Sequence, residues 1–216
     1  SFDNSYPGTF DGGGHTITGL TITTKDQFVG LFGYLNRAGT VKNVVMEGVQ
    51  ITSNQIYGGS IGGVVGYSWG TIENCSVSGS VSGTVYVGGV VGAQIDGSIT
   101  GCSSSATVKG LVGMNAGSSL LACYATGNVT STGSSTGNVH IGGFLGDNYT
   151  TVTACYWKNN HEQGIGYNKK STGATKVDGT DVTWQKAVDA MNTALQNAGS
   201  EWRYELNGTL PTLRKQ

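Results

Sequence analysis

The sequence predicts an all-β fold: a single-stranded parallel β-helix, or β-solenoid, wound right-handed and closed by a C-terminal helical cap. Three observations predict it. A short glycine-bracketed pattern recurs five times, as Val29-Gly30-Leu31-Phe32-Gly33, Gly62-Gly63-Val64-Val65-Gly66, Gly88-Gly89-Val90-Val91-Gly92, Lys109-Gly110-Leu111-Val112-Gly113 and Gly142-Gly143-Phe144-Leu145-Gly146. Each copy is followed by a second anchor (Val44, Cys75, Cys102, Cys123, Cys155) at 14, 12, 13, 13 and 12 residues from Gly30, Gly63, Gly89, Gly110 and Gly143. The return from each anchor to the next of these glycines is free in length, at 19, 14, 8 and 20 residues. A fixed half and a variable half in each repeat describe stacked coils. A β-sandwich with turns at similar spacing has no reason to repeat Gly-Val-Val-Gly and Ile-x-x-Cys in fixed order. Right-handed coiling follows from the handedness of parallel crossovers.

The elements follow in chain order. Phe10 to His15 reads as a turn and Thr16 to Thr23 alternates like a strand, together forming an opening coil. Aligned on the second anchor, the later copies form columns. Three residues before it stand Val41, Ile72, Ile99, Leu120 and Val152; two after it stand Met46, Val77, Ser104, Ala125 and Trp157. The alternate places hold Ser76, Ser103, Tyr124 and Tyr156, then Ser78, Ser105, Thr126 and Lys158. Such period-2 alternation marks strands with one buried face, and like residues at like places stack on one another about 4.8 Å apart. The paired glycines are expected to supply positive φ and room for the chain to bend. The β-helix is expected over residues 1–160 and the cap over 161–216. The cap carries one amphipathic helix at about 183–198, with Trp184, Ala187, Val188, Met191, Ala194 and Leu195 on one face. Asp181 or Thr183 serves as its N-cap and Gly199 stands just beyond its end. Trp202, Tyr204, Leu206, Leu210 and Leu213 then alternate with polar residues. The tail is expected to cover strand edges that an open solenoid end leaves exposed.

Bulk composition excludes several functions. With 37 glycines and only 2 prolines among 216 residues, and no collagen triplet, the chain suits tight turns in a β architecture. Its net charge of -1, and Lys109 as the only basic side chain between Asn43 and Trp157, argue against a nucleic-acid partner. No apolar run approaches the ~18 residues of a membrane-spanning helix. The chain starts within the pattern, so the absence of a leader says nothing about secretion.

These residues resemble the GLUG-motif repeats of bacterial, Bacteroides-type cell-surface proteins. The likeness runs from Phe10-Asp11-Gly12-Gly13-Gly14-His15-Thr16-Ile17 to Cys155-Tyr156-Trp157. Lys109 departs from it, standing where the fourth copy should have its first glycine. Trp202 and Leu210-Pro211-Thr212-Leu213 are similar to tails that follow such repeats. The resemblance implies a cell-surface or extracellular location and an adhesin role, with no catalytic residues. In some IgA-cleaving metallopeptidases such repeats flank the protease region and are not the catalytic part.

The residues point the same way. Polysaccharide hydrolysis needs two carboxylates about 5 to 9.5 Å apart. Glu47, Glu73, Asp96 and Asp147 fall in four different columns, so no catalytic pair is expected. His15, His140 and His161 lie apart, no His-x-x-x-His or Cys-x-x-Cys spacing exists, and no metal or cofactor site is expected. Cys75, Cys102, Cys123 and Cys155 share one inward column. Parallel in-register neighbours point their Cβ atoms the same way, which strains a bridge, so free buried thiols are expected. Gly12 to Gly14 lacks the Lys-Ser/Thr of a phosphate loop. Thr16, Thr18, Thr21 and Thr23 do not repeat coil by coil as an ice-binding array would. The reading is a monomeric, non-catalytic binding module whose partner is a host or bacterial surface glycan or protein, with no nucleic acid and no membrane insertion. Recognition is expected on the long returns Gln50 to Gly59 and Thr130 to His140. Tyr57, Tyr67, Trp69, Tyr86 and Tyr149, near coil corners, are available to stack on sugar or peptide or simply to pack. The hydroxyl face of Ser76, Ser103 and Tyr124 is the other place for a site, and a passive spacer is the rival function.

Overall fold

Every inward column found in the sequence is a ladder in the structure. The computed structural model describes residues 5–55, 58–130, 140–170 and 173–216. Its first face stacks Thr9–Asp11, Thr40–Lys42, Thr71–Glu73, Ser98–Thr100, Ser119–Leu121 and Val152–Thr153 as one parallel six-stranded sheet. The register runs Phe10 to Val41, Ile72, Ile99, Leu120 and Val152, so each inward aliphatic sits directly on the next. The second face stacks Thr16–Thr18, Val45–Ser53, Ser76–Ser82, Ser103–Ser104, Tyr124–Ala125, Tyr156–Trp157 and Thr175–Lys176. The third stacks Phe32–Leu35, Val65–Ser68, Val91–Gln94, Val112–Asn115, Leu145–Asn148 and Ile165–Asn168, and a short three-stranded sheet precedes it in the early coils. All these pairings are parallel, and the single-stranded parallel β-helix stands. The core is one continuous apolar cluster running along the axis.

The parallel ladders do not stop at residue 160. Ile165–Asn168 pairs with Leu145–Asn148, and Thr175–Lys176 pairs with Tyr156–Trp157. The polarity of this stretch hides it, because its strands are short and only Val177 beyond them is fully buried. Trp157 plugs the core of the last coils: a Cβ on Gly143 would lie 2.5 Å from its Cδ1, and one on Gly164 2.5 Å from its Cζ3.

The glycines work differently from expectation. Of the paired motif glycines only Gly110 has positive φ. The rest are required by space. A Cβ on Gly62 would lie 2.7 Å from Val90 O, and one on Gly63 2.7 Å from a Val77 methyl across the core. Positive φ sits instead one residue before each second anchor, at Asn43, Asn74, Gly101, Ala122 and Ala154. This left-handed residue turns the chain from the first face to the second in each of these coils.

The return at Gln50 to Gly59 is also not a free loop. Its first residues extend the second face, with Gln50, Ile51, Thr52 and Ser53 opposite Thr21, Ile22, Thr23 and Thr24, and Ile51 is buried. Tyr57 and the greater part of the Thr130 to His140 return lie outside the described residues.

The C-terminal segment begins with the helix Trp184–Asn197, capped by Thr183, whose Oγ1 accepts from Lys186 N at 3.3 Å. The hairpin Trp202–Leu206 and Pro211–Lys215 follows. The cap docks on the flank of the solenoid. Trp184, Ala187, Val188, Met191 and Leu195 form a second core with Ala122, Tyr124 and Val177, joined by Ala154 and Tyr156. Two buried phenol groups pin it: Tyr204 donates to Ala122 O at 2.9 Å, and Tyr124 donates to Pro211 O at 2.6 Å.

Candidate functional site

The docked hairpin converts the outward side of the second face into a groove of about 410 Å³. Strand alternation sends Ser76, Ser78, Ser103, Ser105 and Thr126 outward, and these make the floor. Tyr124, the next residue in the Ser76–Ser103 column, closes one end. Trp202, Leu210, Pro211 and Leu213 of the hairpin make an apolar wall. Asn74 and Glu47 add an amide and a carboxylate at the rim. The hydroxyl of Thr126 is buried without a hydrogen-bond partner among the described residues. A buried hydroxyl left unpaired is costly unless something else satisfies it.

A floor of hydroxyls and a wall of indole and aliphatic carbon suit a ligand with one polar and one apolar side, which is the character of a sugar ring. Trp202 and Leu210 to Leu213 are the site residues that sequence reasoning assigned only to a cap. Their alternation marks a strand pair, but nothing in spacing says where that pair docks. Leu210, 36% exposed, is the one trace: an apolar residue left in solvent beside the groove.

The other expected candidates are dispersed. Tyr67 stacks on Tyr34 (5.5 Å, 12° between planes) and packs on Phe28 at 4.9 Å, so these rings face one another along the axis. Trp69 lies beneath the guanidinium of Arg37, 5.1 Å from its ring centre. Tyr86 is half-buried, and Tyr149 is exposed. Burial pushes the Tyr86 phenol up, and the nearby Asp147 carboxylate adds to the shift. Glu47 is on the second face, Glu73 on the first, Asp96 at a corner in an ion pair with Arg37, and Asp147 on the third face against His140. They do not converge. Among the described residues no cluster of three His, Cys, Asp or Glu side chains is placed to hold a metal ion. His15 stays in its turn, and His161 Nδ1 meets Gln163 O at 2.9 Å.

The four cysteines are free and buried, as their column predicts. Each thiol points to the carbonyl two residues earlier, at 3.2 to 3.4 Å. Cys102 Sγ and Cys123 Sγ also accept from the amides of Cys75 and Cys102, at 3.5 and 3.4 Å. Burial pushes the Cys102 and Cys155 thiols well up, so they stay protonated and inert.

Residues 57–82 and 83–109 match the GLUG motif. Two consecutive coils carry the match. In the structure each match runs from the short sheet through the third and first faces to the second, one full coil per motif. A stretch of 105 residues, 48% of the chain, is 38% identical to halomucin of Haloquadratum walsbyi, and covers 1% of that protein. A stretch of 77 residues, 34% of the chain, is 35% identical to a Gly-rich membrane protein of Evansella cellulosilytica, and covers 9% of it. The chain thus spans only a small fraction of these relatives. No solved structure matches it. Among the described residues no helix is long and apolar enough to cross a membrane.

Proposed function

We propose that this chain is a repeat module of a cell-surface protein that acts as a non-catalytic adhesin, holding a saccharide of a host or bacterial surface in the groove between the second face and the hairpin. The observation that carries this reading is the groove's two-sided chemistry, with outward serine hydroxyls facing an apolar wall. The GLUG repeats, and relatives named as a halomucin and a membrane protein, support a surface setting. The likeness of the tail to those of Bacteroides-type surface proteins supports it too. Dispersed carboxylates support binding without turnover, since glycoside hydrolysis needs a facing pair.

The test is a glycan and matrix-protein array probed with the chain and with Ser103→Trp, which fills the groove from its outward floor. The expected result is retention of a neutral saccharide by the chain and its loss in the variant, with the melting temperature unchanged. Binding that survives Ser103→Trp would move the site elsewhere. Turnover of any polysaccharide would overturn the non-catalytic reading. No binding by the intact chain would favour a spacer. The small share of each relative that the chain spans supports that second reading, because six stacked coils about 4.8 Å apart make a rod ~29 Å long.

A further inference from the structure

On a different face, two of the three exposed large apolar side chains among the described residues are neighbours. Tyr149 and Tyr167 are 36% and 40% exposed, with ring centres 5.7 Å apart and planes tilted by 52°. The third-face register explains the arrangement. Tyr167 follows Met114 and Asp147 in one outward column, while Ala116, Tyr149 and Lys169 follow the strands Val112–Asn115, Leu145–Asn148 and Ile165–Asn168 at the adjoining corner. Small or thin residues at Met114 and Ala116 leave a shallow depression of about 620 Å³ that Tyr149, Lys169 and Lys170 border. The Tyr167 ring is held on one side by the imidazole of His140, 5.1 Å away and nearly parallel at 28°. Ile165–Asn168 ends its sheet, so no further described strand stacks over that ring.

The charges are what distinguish this place from an ordinary aromatic patch. The chain has few cations, and two of them stand together here. Neither Lys169 nor Lys170 makes an ion pair among the described residues, and both are exposed. Asp147, beside Tyr167 in its column, is buried and already engaged by His140 Nδ1. An aromatic platform beside two uncommitted ammonium groups fits a ligand with a carbon-hydrogen face and an anionic substituent.

We propose that Tyr149, Tyr167, Lys169 and Lys170 form a second binding site, separate from the groove, for an acidic saccharide. The rings take the apolar face of a sugar, and the lysines take its carboxylate or sulfate. Nothing in this site depends on the groove.

Titration calorimetry with a galacturonate hexasaccharide, its fully methyl-esterified neutral counterpart and a heparin hexasaccharide tests it. At least one acidic ligand is expected to bind tenfold or more tightly than the neutral one, and more weakly as salt rises. Which acidic ligand binds separates carboxylate from sulfate recognition. Lys169→Ala/Lys170→Ala is expected to reduce that binding at least tenfold, Tyr167→Ala to reduce it as well, and Ser103→Trp to leave it unchanged. With the groove filled by Ser103→Trp, equal binding of acidic and neutral ligands or loss of acidic binding would overturn the proposal, as would indifference to the double lysine variant or no binding of either acidic ligand.

Discussion

At the scale of single residues, position in a coil decides what a side chain can be. Ile99 is fully buried, with Ile72 beneath it and Leu120 above. Both neighbours are held by their own strands, so the gap left by truncation cannot collapse. Ile99→Ala is expected to cost about 2–5 kcal/mol in a urea titration. Two thiols of the ladder set a pH limit, opposed by Cys123, which burial raises but hydrogen bonds with Cys102 and Cys155 bring down. Burial raises Cys102 and Cys155 in the folded chain, while unfolded thiols titrate near 8.5. Above about pH 8.5 the unfolded chain therefore holds fewer protons than the folded one, and stability falls as pH rises. The contribution is fully present below that value. Cys102→Ala/Cys155→Ala is expected to flatten the alkaline limb of stability against pH, and a thiol reagent is expected to label the native chain far more slowly than the unfolded one. The inward columns were legible in sequence because one residue type recurs at one place. The left-handed corner was not, because Asn, Gly and Ala share it. Asn tolerates that conformation, whereas Ala122 and Ala154 carry strain of about 1–2 kcal/mol each. Small residues stand there because the helix docks on them: Ala122 is fully buried beneath it, and its carbonyl accepts the Tyr204 phenol.

Elements show where sequence reading runs out. Variable gap length reads as loop, so the pairing of Gln50–Ser53 with Thr21–Thr24 escaped it; the strand is visible only once Ile51 is seen stacked on Ile22. The helix was legible from apolar spacing and its N-cap was narrowed to Asp181 or Thr183, of which Thr183 caps it. Its docking place was not, because the contacts that fix it, such as Tyr204 to Ala122, join residues 82 apart. The groove was half legible for the same reason: its hydroxyl floor is a local alternation, and its wall arrives from a distant segment. Tyr204→Phe is expected to cost about 1–3 kcal/mol by depriving a buried carbonyl of that donor. Hydrogen exchange is expected to quicken first in residues 184–215. Deleting the chain from Trp184 onward uncovers the apolar flank around Ala122, Tyr124 and Tyr156. Sedimentation is expected to show a monomer for the intact chain and association for the truncated one. A truncated chain that stays monomeric would mean the flank tolerates water.

For the whole molecule, stacking makes the fold additive, because each coil touches chiefly its neighbours. One coil should then be removable without loss of the rest. Cys75 and Cys102 occupy the same place 27 residues apart, so deleting Thr71 to Gly97, also 27 residues, joins Gly70 to Ser98 in register. Val41 then meets Ile99 where it met Ile72, an aliphatic pair of the same kind. The cap keeps its anchors, since Ala122, Tyr124, Ala154, Tyr156 and Val177 all lie beyond the cut. The groove does not survive. Asn74 leaves the rim, Ser76 and Ser78 leave the floor, and Asn43, Val45 and Glu47 move up beside Ser103, replacing two hydroxyls with an isopropyl group and a carboxylate. The shortened chain is expected to fold cooperatively with unchanged circular dichroism per residue. Its urea m-value should fall by roughly one-eighth, the 27 of 216 residues removed. Neutral saccharide binding should disappear while acidic saccharide binding at Lys169 and Lys170 persists. Loss of cooperative folding would show that the coils on either side of the cut are not interchangeable neighbours. Retained neutral binding would show that the groove floor is not where the sugar sits.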